Sequence, residues 1–201
     1  NPDHYTIFNY WVLDSIGIKN NILDIGNTKF GLMISSIYNN IDAIVLKKPF
    51  DGEISKVNYI QKDILDFDVK SKYDIITSPS TLHLIGTGRY NSKVDLNAII
   101  ITINKLKASL KINGKFFVAM PLGKDSYLNN YHFIFSYETI LKLFKGLYLV
   151  DFFVDEYMRS FPQLKPECYD PVLIKQLLPS KFVTAQFDAS SRKRNLKPEQ
   201  L

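Results

Sequence analysis

The chain has 201 residues, of which 46% are hydrophobic and 22% are charged, a composition typical of one globular domain. Its net charge is +5, but no stripe of lysine and arginine alternates with aromatic residues, so nucleic-acid binding is not expected. The single cysteine, Cys168, excludes an internal disulfide. No apolar run approaches the roughly 20 residues that cross a bilayer. We therefore expect a soluble, cytoplasmic protein without a membrane span.

Short apolar runs alternate with longer segments of helical period along the chain, a pattern typical of βαβ units and a parallel sheet. Apolar residues spaced three or four apart predict a first helix over residues 3–16. Strands are predicted at 21–25, 43–46, 57–61, 73–77, 115–120, 147–154 and 181–187. Further helices are predicted at 32–38, 95–110 and 136–144. Lys111 to Gly114 would close the helix at 95–110 with a C-terminal glycine.

These elements predict an α/β fold with a Rossmann-like, doubly wound sheet of seven strands, mostly parallel with an antiparallel last strand. A single domain is expected over residues 1–188, with a lead-in segment at 1–20. An insertion at 158–180 precedes the last strand and is a candidate cover for a cleft or contact for a homodimer. Residues 189–201 are expected to form a loose, basic tail.

Ligands of such sheets bind at the carboxyl ends of the strands, where the strand order reverses. The loop after the first strand is the strongest candidate, because Asp24 precedes a glycine turn at Gly26. A glycine there lets the backbone approach a ligand without a Cβ in the way, and the following helix directs its amides at the same place. Taken alone, the glycine is also explained by a simple turn after a strand.

The run Leu23-Asp24-Ile25-Gly26 resembles the first motif of class I S-adenosylmethionine-dependent methyltransferases. The resemblance implies S-adenosylmethionine as the cofactor and implies that Asp24 contacts its methionine portion. Gly26, Asn27 and Gly31 would belong to the cofactor loop. The second glycine of the motif is replaced here, around Asn27 and Thr28.

The loops after the second and third strands both bear on the adenosyl group. The resemblance places the family's ribose-binding acid at Leu46, which cannot accept those hydrogen bonds, and leaves Lys47 as a cofactor-binding candidate. Asp63 would receive the adenine amino group, and the amide of Ile64 would serve the ring nitrogen. Asp63 is also explained as a cap for the turn before Leu65. Ser78, after the fourth strand, completes the candidate cofactor-binding residues.

Three later runs resemble a poorly characterised bacterial group of methyltransferase-fold proteins that is often associated with surface-carbohydrate synthesis. They are IGTGRYNSKVD at 85–95, MPLG at 120–123 and NYHFIFS at 130–136. The resemblance extends over about residues 22–156. It departs where the group's Glu-His pair falls on His83 and Leu84, and where an arginine of the group becomes Phe133. If those residues define a substrate site, this chain has altered it.

Methyl transfer from a sulfonium is an in-line displacement, in which the enzyme aligns the acceptor and excludes water. A hydroxyl acceptor also needs a base, and His83 and His132 are the candidates. A structural hydrogen-bonding role is the alternative for each. Arg89 and Tyr90 are candidates for binding a sugar or phosphate, although Arg89 could instead tie its loop to Asp95. The histidine and cysteine spacing predicts no metal site.

The leading interpretation is a methyltransferase that uses S-adenosylmethionine for O-methylation of a small or carbohydrate-linked acceptor. A catalytically inactive binding or scaffold protein of the same fold is the alternative, motivated by Leu46 and the altered glycine loop. An NAD-dependent enzyme is a third possibility. It would require a ribose-binding acid at the position of Leu46.

Overall fold

The computed structural model describes residues 4–48, 52–68, 72–89, 94–95, 97–128, 131–154 and 181–189. The helices in these ranges are α1 (His4–Ser15), α2 (Lys29–Ser36), α3 (Ala98–Ser109) and α4 (Tyr137–Leu143). The strands are β1 (Asn21–Ile25), β2 (Asn40–Val45), β3 (Val57–Gln61), β4 (Tyr73–Pro79), β5 (Leu110–Leu122), β6 (Ser126–Leu128), β7 (His132–Ile134), β8 (Tyr148–Val154) and β9 (Lys181–Asp188). A short 3₁₀ helix covers Leu82–Leu84.

Seven strands form one sheet in the order β3-β2-β1-β4-β5-β9-β8, and β6 pairs with β7 separately. Strands β1 to β5 are joined by parallel pairs. The last strand, β9, is antiparallel to both β5 and β8. The predicted doubly wound, mostly parallel sheet with an antiparallel last strand is therefore confirmed. The order reverses between β1 and β4, so the carboxyl ends of these two strands mark the expected ligand position.

Each face of the sheet is covered by a different pair of helices. On the first face, α1 and α2 contribute Phe8, Val12 and Leu32 to a cluster that includes strand residues such as Ile22 and Phe117. On the second face, α3 and α4 pack against the larger core cluster. Successive strand residues point to opposite faces, which places Asp24 on the first face, beside α1 and α2.

The described parts of the connections from β2 to β3 and from β3 to β4 contain no α-helix. A groove of about 840 Å³ lies at the amino ends of β1 to β4. Within it, Asp42 accepts hydrogen bonds from Asn58 Nδ2 at 2.9 Å and from the Tyr73 hydroxyl at 2.8 Å. This groove is at the edge of the sheet opposite to the expected ligand position.

The boundary between α3 and β5 differs from its prediction. The helix ends at Ser109, and Leu110 already pairs with Tyr73 in the sheet. The left-handed residue is Asn113, with φ 65°, rather than the glycine. A Cβ on Gly114 would lie 2.8 Å from the Leu110 side chain and 3.0 Å from the Asp74 carbonyl oxygen. Gly114 therefore allows close packing within the sheet and does not cap the helix.

The β6–β7 hairpin was not expected from the sequence, because strands of three residues are too short to show alternation. It pairs Leu128 with His132 and Ser126 with Ile134. The predicted insertion at 158–180 lies outside the described residues, as does the tail beyond residue 189. No helix in the described ranges is long and apolar enough to span a membrane.

Phe144 links α4 to the sheet, so its substitution tests the packing on the second face. The centroid of its ring lies 4.3 Å from that of Phe187, on which it stacks, and 5.1 Å from that of Phe116, which it meets edge-on. Phe144→Ala is expected to lower the free energy of unfolding by about 3–5 kcal/mol, because it leaves a cavity. The control, Ile112→Ala, changes a side chain that is 81% exposed and should cost less than about 0.5 kcal/mol. Denaturant unfolding measures both, and equal losses would contradict this packing.

Candidate functional site

Asp24 is a buried carboxylate at the carboxyl end of β1, between β2 and β4. Only 2% of its surface is exposed. The Thr77 hydroxyl donates to Oδ2 at 2.5 Å, the Asn27 backbone N–H donates to Oδ1 at 3.0 Å, and Asn27 Nδ2 donates to Oδ2 at 3.1 Å. The charge is thus held by hydrogen bonds from the neighbouring strand and from the following loop.

Burial raises the pKa of Asp24 to about 6, and the hydrogen bonds from Thr77 and Asn27 only partly oppose that effect. Burial has this effect because the charged carboxylate is less well solvated inside the protein than in water. The carboxyl group is therefore mostly protonated below pH 6 and carries a negative charge inside the protein above it.

A pair of side-chain amides connects this loop to α1. Asn27 Nδ2 donates to Asn9 Oδ1 at 2.8 Å, and Asn9 Nδ2 donates back to Asn27 Oδ1 at 3.1 Å. The Thr28 backbone N–H also donates to Asn27 Oδ1. Asn27 was a predicted cofactor-loop residue, whereas Asn9 was missed, because an asparagine within a helical segment carries no signal of a partner 18 positions away.

The two glycines of the loop are enclosed by side chains of this chain. Gly26 has a left-handed φ of 83°, and a Cβ there would lie 1.9 Å from Thr81 Oγ1. A Cβ on Gly31 would lie 2.2 Å from Asn27 Oδ1. Gly31 also donates its N–H to Thr28 Oγ1, which caps α2. Internal packing therefore requires glycine at both positions, and the cofactor-binding role of Gly26 and Gly31 stays a prediction.

Asp24 belongs to a row of residues that crosses the first face of the sheet. The strand register places Tyr59 beside Ala43, Ala43 beside Asp24, and Asp24 beside Thr77. Burial raises the pKa of Tyr59, and the negative charge of Asp24 adds to the effect, so the two groups interact across the small Ala43. Alternation along β3 would have placed Tyr59 on this face, but only the register shows that Ala43 separates it from Asp24.

The predicted adenosyl-binding residues lie in the loops after β2 and β3. Leu46 follows the end of β2 with 56% of its surface exposed, and Lys47 is exposed beside it. Asp63 is half-buried, and its Oδ1 accepts the Leu65 backbone N–H at 2.9 Å, so the turn-capping role considered for it is present. The side chain of Ile64 is buried in the core on the second face.

The end of β4 approaches the loop after β1. Ser78 is fully buried, and its hydroxyl donates to the Ile25 carbonyl at 3.4 Å. Ser80 adopts a left-handed φ of 60°, which is unfavourable for a residue with a Cβ. Thr81 follows it and covers Gly26. The turn that begins after β4 is therefore packed directly onto the predicted cofactor loop.

The two candidate histidines come together although they belong to different motifs. His83 lies in the 3₁₀ helix after β4, and His132 begins β7. Their ring centroids are 5.7 Å apart at an angle of 86°. The guanidinium of Arg89 lies 5.8 Å from the centre of the Tyr131 ring, and Tyr131 contacts His132. The structure thus gathers His83, His132 and Arg89, whereas Tyr90 lies outside the described residues.

The electrostatic environment of the two rings is positive. Burial lowers the pKa of His83 to about 3, and the charges of His132, Arg89 and His4 add to the effect. Burial and Arg89 also lower the pKa of His132. His83 is therefore uncharged at neutral pH. His4 was not predicted to take part, since its position in the first helix gives no sign of this proximity.

The contacts of Asp95 do not support the alternative in which Arg89 binds Asp95. Asp95 Oδ1 accepts the Asn97 backbone N–H at 2.9 Å. No group of three or more histidine, cysteine, aspartate or glutamate side chains within the described ranges is arranged to hold a metal ion.

The raised pKa of Asp24 predicts how the free energy of unfolding depends on pH. Because the folded state raises its pKa from 3.8 to about 6, its favourable contribution is complete below pH 3.8 and is lost as the pH rises through 6. Asp24→Asn removes this titration while keeping an oxygen for Thr77. The stability of the variant relative to the original chain should therefore rise by about 1–3 kcal/mol between those pH values.

Asp74→Asn is the control of opposite sign. Burial alone would raise the pKa of Asp74, but hydrogen bonds from the Asn21 backbone and from Lys111 lower it, so its contribution is lost as the pH falls. The variant should therefore become relatively less stable as the pH rises. Thermal unfolding across the pH range measures both differences, and a constant difference for Asp24→Asn would contradict the assigned titration.

Comparisons with known proteins connect this chain to one family and one fold. A family model described as "Caenorhabditis protein of unknown function, DUF268" matches residues 17–170. A search of curated proteins finds no relative that matches. The N-methyltransferase NodS from Bradyrhizobium japonicum WM9, crystallised with S-adenosyl-L-homocysteine, is similar with a TM-score of 0.63 and 14% identity, over 92% of this chain and 84% of that one.

Two further solved structures share the fold. The 1,6-didemethyltoxoflavin-N1-methyltransferase of Burkholderia thailandensis, with S-adenosylhomocysteine bound, has a TM-score of 0.67 and 12% identity, over 94% of this chain and 79% of that one. The [4+2]-cyclase SpnF has a TM-score of 0.63 and 11% identity, over 92% of this chain and 80% of that one. The fold therefore does not by itself decide the reaction. The chain belongs to the DUF268 family and has the Rossmann-like fold of the class I methyltransferases.

Proposed function

We propose that this chain is an S-adenosylmethionine-dependent methyltransferase. The observation that carries the proposal is the position of the Asp24 turn at the reversal of strand order between β1 and β4, where ligands of such sheets bind. NodS and the toxoflavin methyltransferase share this fold and hold S-adenosylhomocysteine, which supports the same cofactor here. When bound, S-adenosylmethionine would supply an electrophilic methyl group.

Residues at this edge would contact different parts of that cofactor. Asp24 offers a negative charge to the methionine ammonium, and the exposed side chain of Leu46 offers an apolar surface to the adenosyl group. Asp63 and the backbone of Ile64 are the proposed adenine contacts. The ribose hydroxyls would depend on backbone groups near Lys47, because the loop has no carboxylate at Leu46.

The acceptor side is proposed to use the histidine pair. His132 is half-exposed, whereas His83 is buried, so His132 is the better placed to take a proton from a hydroxyl acceptor. His83, uncharged and packed edge-on against it, would fix the orientation of the His132 ring. O-methylation of a small or carbohydrate-linked acceptor is the reaction that these residues favour, with the carbohydrate supported by the sequence resemblance alone.

The first test is calorimetric binding of S-adenosylhomocysteine, with Asp24→Asn as the variant. Replacing the charge should weaken binding by about tenfold or more at neutral pH, as expected for a hydrogen bond to a charged group. Affinity for the original chain should also fall as the pH drops through 6, because protonation of Asp24 removes the charge that the ammonium needs. The Asn variant should lack this dependence.

If no binding is seen at millimolar ligand with folded protein, the enzyme assignment is wrong and a non-catalytic binding protein becomes the better explanation.

The second test concerns the adenine assignment. Asp63→Ala should weaken binding of S-adenosylhomocysteine by about fivefold, the loss of an ordinary hydrogen bond. Asp66→Ala is the matched control, since Asp66 is an exposed carboxylate three residues further on and should leave affinity unchanged. Equal affinities for the original chain and Asp63→Ala would contradict the adenine contact. Asp63 would then serve only to cap the turn by accepting the Leu65 N–H.

A further inference from the structure

Basic side chains from separate parts of the chain collect beside the predicted cofactor loop. His4, His132 and Arg89 each act electrostatically on His83, and Arg89 also acts on His132. They come from α1, from the turn after β4 and from β7, so their proximity is a result of the fold and not of local sequence. The proposed cofactor contacts use none of them.

Three of the residues in this region form a surface that solvent can reach. Tyr131 is 63% exposed, and the Arg89 guanidinium lies 5.8 Å from the centre of its ring. His132 is half-exposed, with its ring centroid 5.7 Å from that of Tyr131. A planar guanidinium, a phenol ring and an imidazole thus lie side by side. A guanidinium can bind two oxygens of a carboxylate or phosphate at once.

The field at this surface favours a negative charge. Burial is the main cause of the lowered pKa of His132 and of His83, and the positive charge of Arg89 adds to the effect at both rings. A neighbouring anion would have the opposite effect on an imidazole and would raise its pKa. The other side of the turn after β4, which faces Asp24, favours a positive charge, because the nearest charge there is a buried carboxylate.

We propose that Arg89, Tyr131 and His132 bind a carboxylate or phosphate group of the methyl acceptor. Arg89 binds the anionic oxygens, and the Tyr131 ring packs against the sugar or other ring that carries the anion. The neutral His132 ring donates a further hydrogen bond from its N–H, which leaves its other nitrogen to accept the hydroxyl proton. This inference rests on the proposed function for the identity of the ligand as an acceptor. The anion subsite itself does not depend on the cofactor, so it can be tested separately.

The histidine ring signals in nuclear magnetic resonance spectra provide the test, because the chain has only three histidines. His4→Gln and His132→Gln assign the signals. The probes are glucose 1-phosphate, glucuronate and the uncharged methyl glucoside. We expect at least one of the two anionic sugars to shift the His132 signal and raise its pKa, whereas methyl glucoside should do neither. The two anions separate a phosphate site from a carboxylate site.

Substitutions of Arg89 identify the group that binds the anion. Arg89→Gln should weaken the anionic probe by about tenfold or more, and Arg89→Lys by less, because lysine keeps the charge without the planar fork. Lys124→Gln is the matched control. It removes one positive charge from an exposed position at the same edge of the sheet and should leave affinity unchanged.

Three results would overturn the subsite: an equal response to methyl glucoside, an equal loss for Lys124→Gln and Arg89→Gln, or no shift of His132 with either anion at millimolar concentration. The last result is obtained with the unaltered chain, so a variant that fails to fold does not prevent the test. Binding of S-adenosylhomocysteine should persist in Arg89→Gln. Cofactor binding without anion binding contradicts the subsite alone, and anion binding without cofactor binding contradicts the methyltransferase proposal.

Discussion

A carboxylate buried in the middle of a sheet must be hydrogen-bonded, because an isolated buried charge costs several kcal/mol. At Asp24 this requirement determines the surroundings. Thr77 satisfies it from β4, and Asn27 satisfies it from the loop. Asn27 in turn pairs with Asn9, which attaches α1 to the loop. Gly31 must lack a Cβ because the Asn27 amide occupies that position.

The same group shows how far the sequence can be interpreted alone. Alternating strand and helix patterns predict the sheet, and a strand followed by a glycine turn places Asp24 at the expected ligand position. These signals are local. The partners of Asp24 are not, since Thr77 lies 53 positions away along the chain and Tyr59 is separated from it in the sheet by Ala43 alone. Such contacts depend on strand register, which no single-sequence pattern fixes.

The glycines show a second limit of sequence interpretation. A glycine after a strand indicates that space near the backbone is needed, but it does not identify what fills that space. At Gly26 the neighbour is Thr81, and at Gly114 it is Leu110 and the Asp74 carbonyl. The expected helix cap at Gly114 came from what glycine permits, and close packing in the sheet is the use that the structure shows there.

Thr81 covers Gly26 and immediately precedes the 3₁₀ helix that carries His83, so it lies between the Asp24 loop and the turn that leads to Arg89. On one side is the buried carboxylate of Asp24, and on the other is the positive charge of Arg89, which acts on the uncharged His83 ring. The proposed cofactor has a sulfonium, an ammonium and a carboxylate, and so a net positive charge, whereas the proposed acceptor has an anion. Each would be disfavoured in the other's place by like charge. Charge separation across one turn would therefore orient both reactants, which is what an in-line transfer requires of a protein.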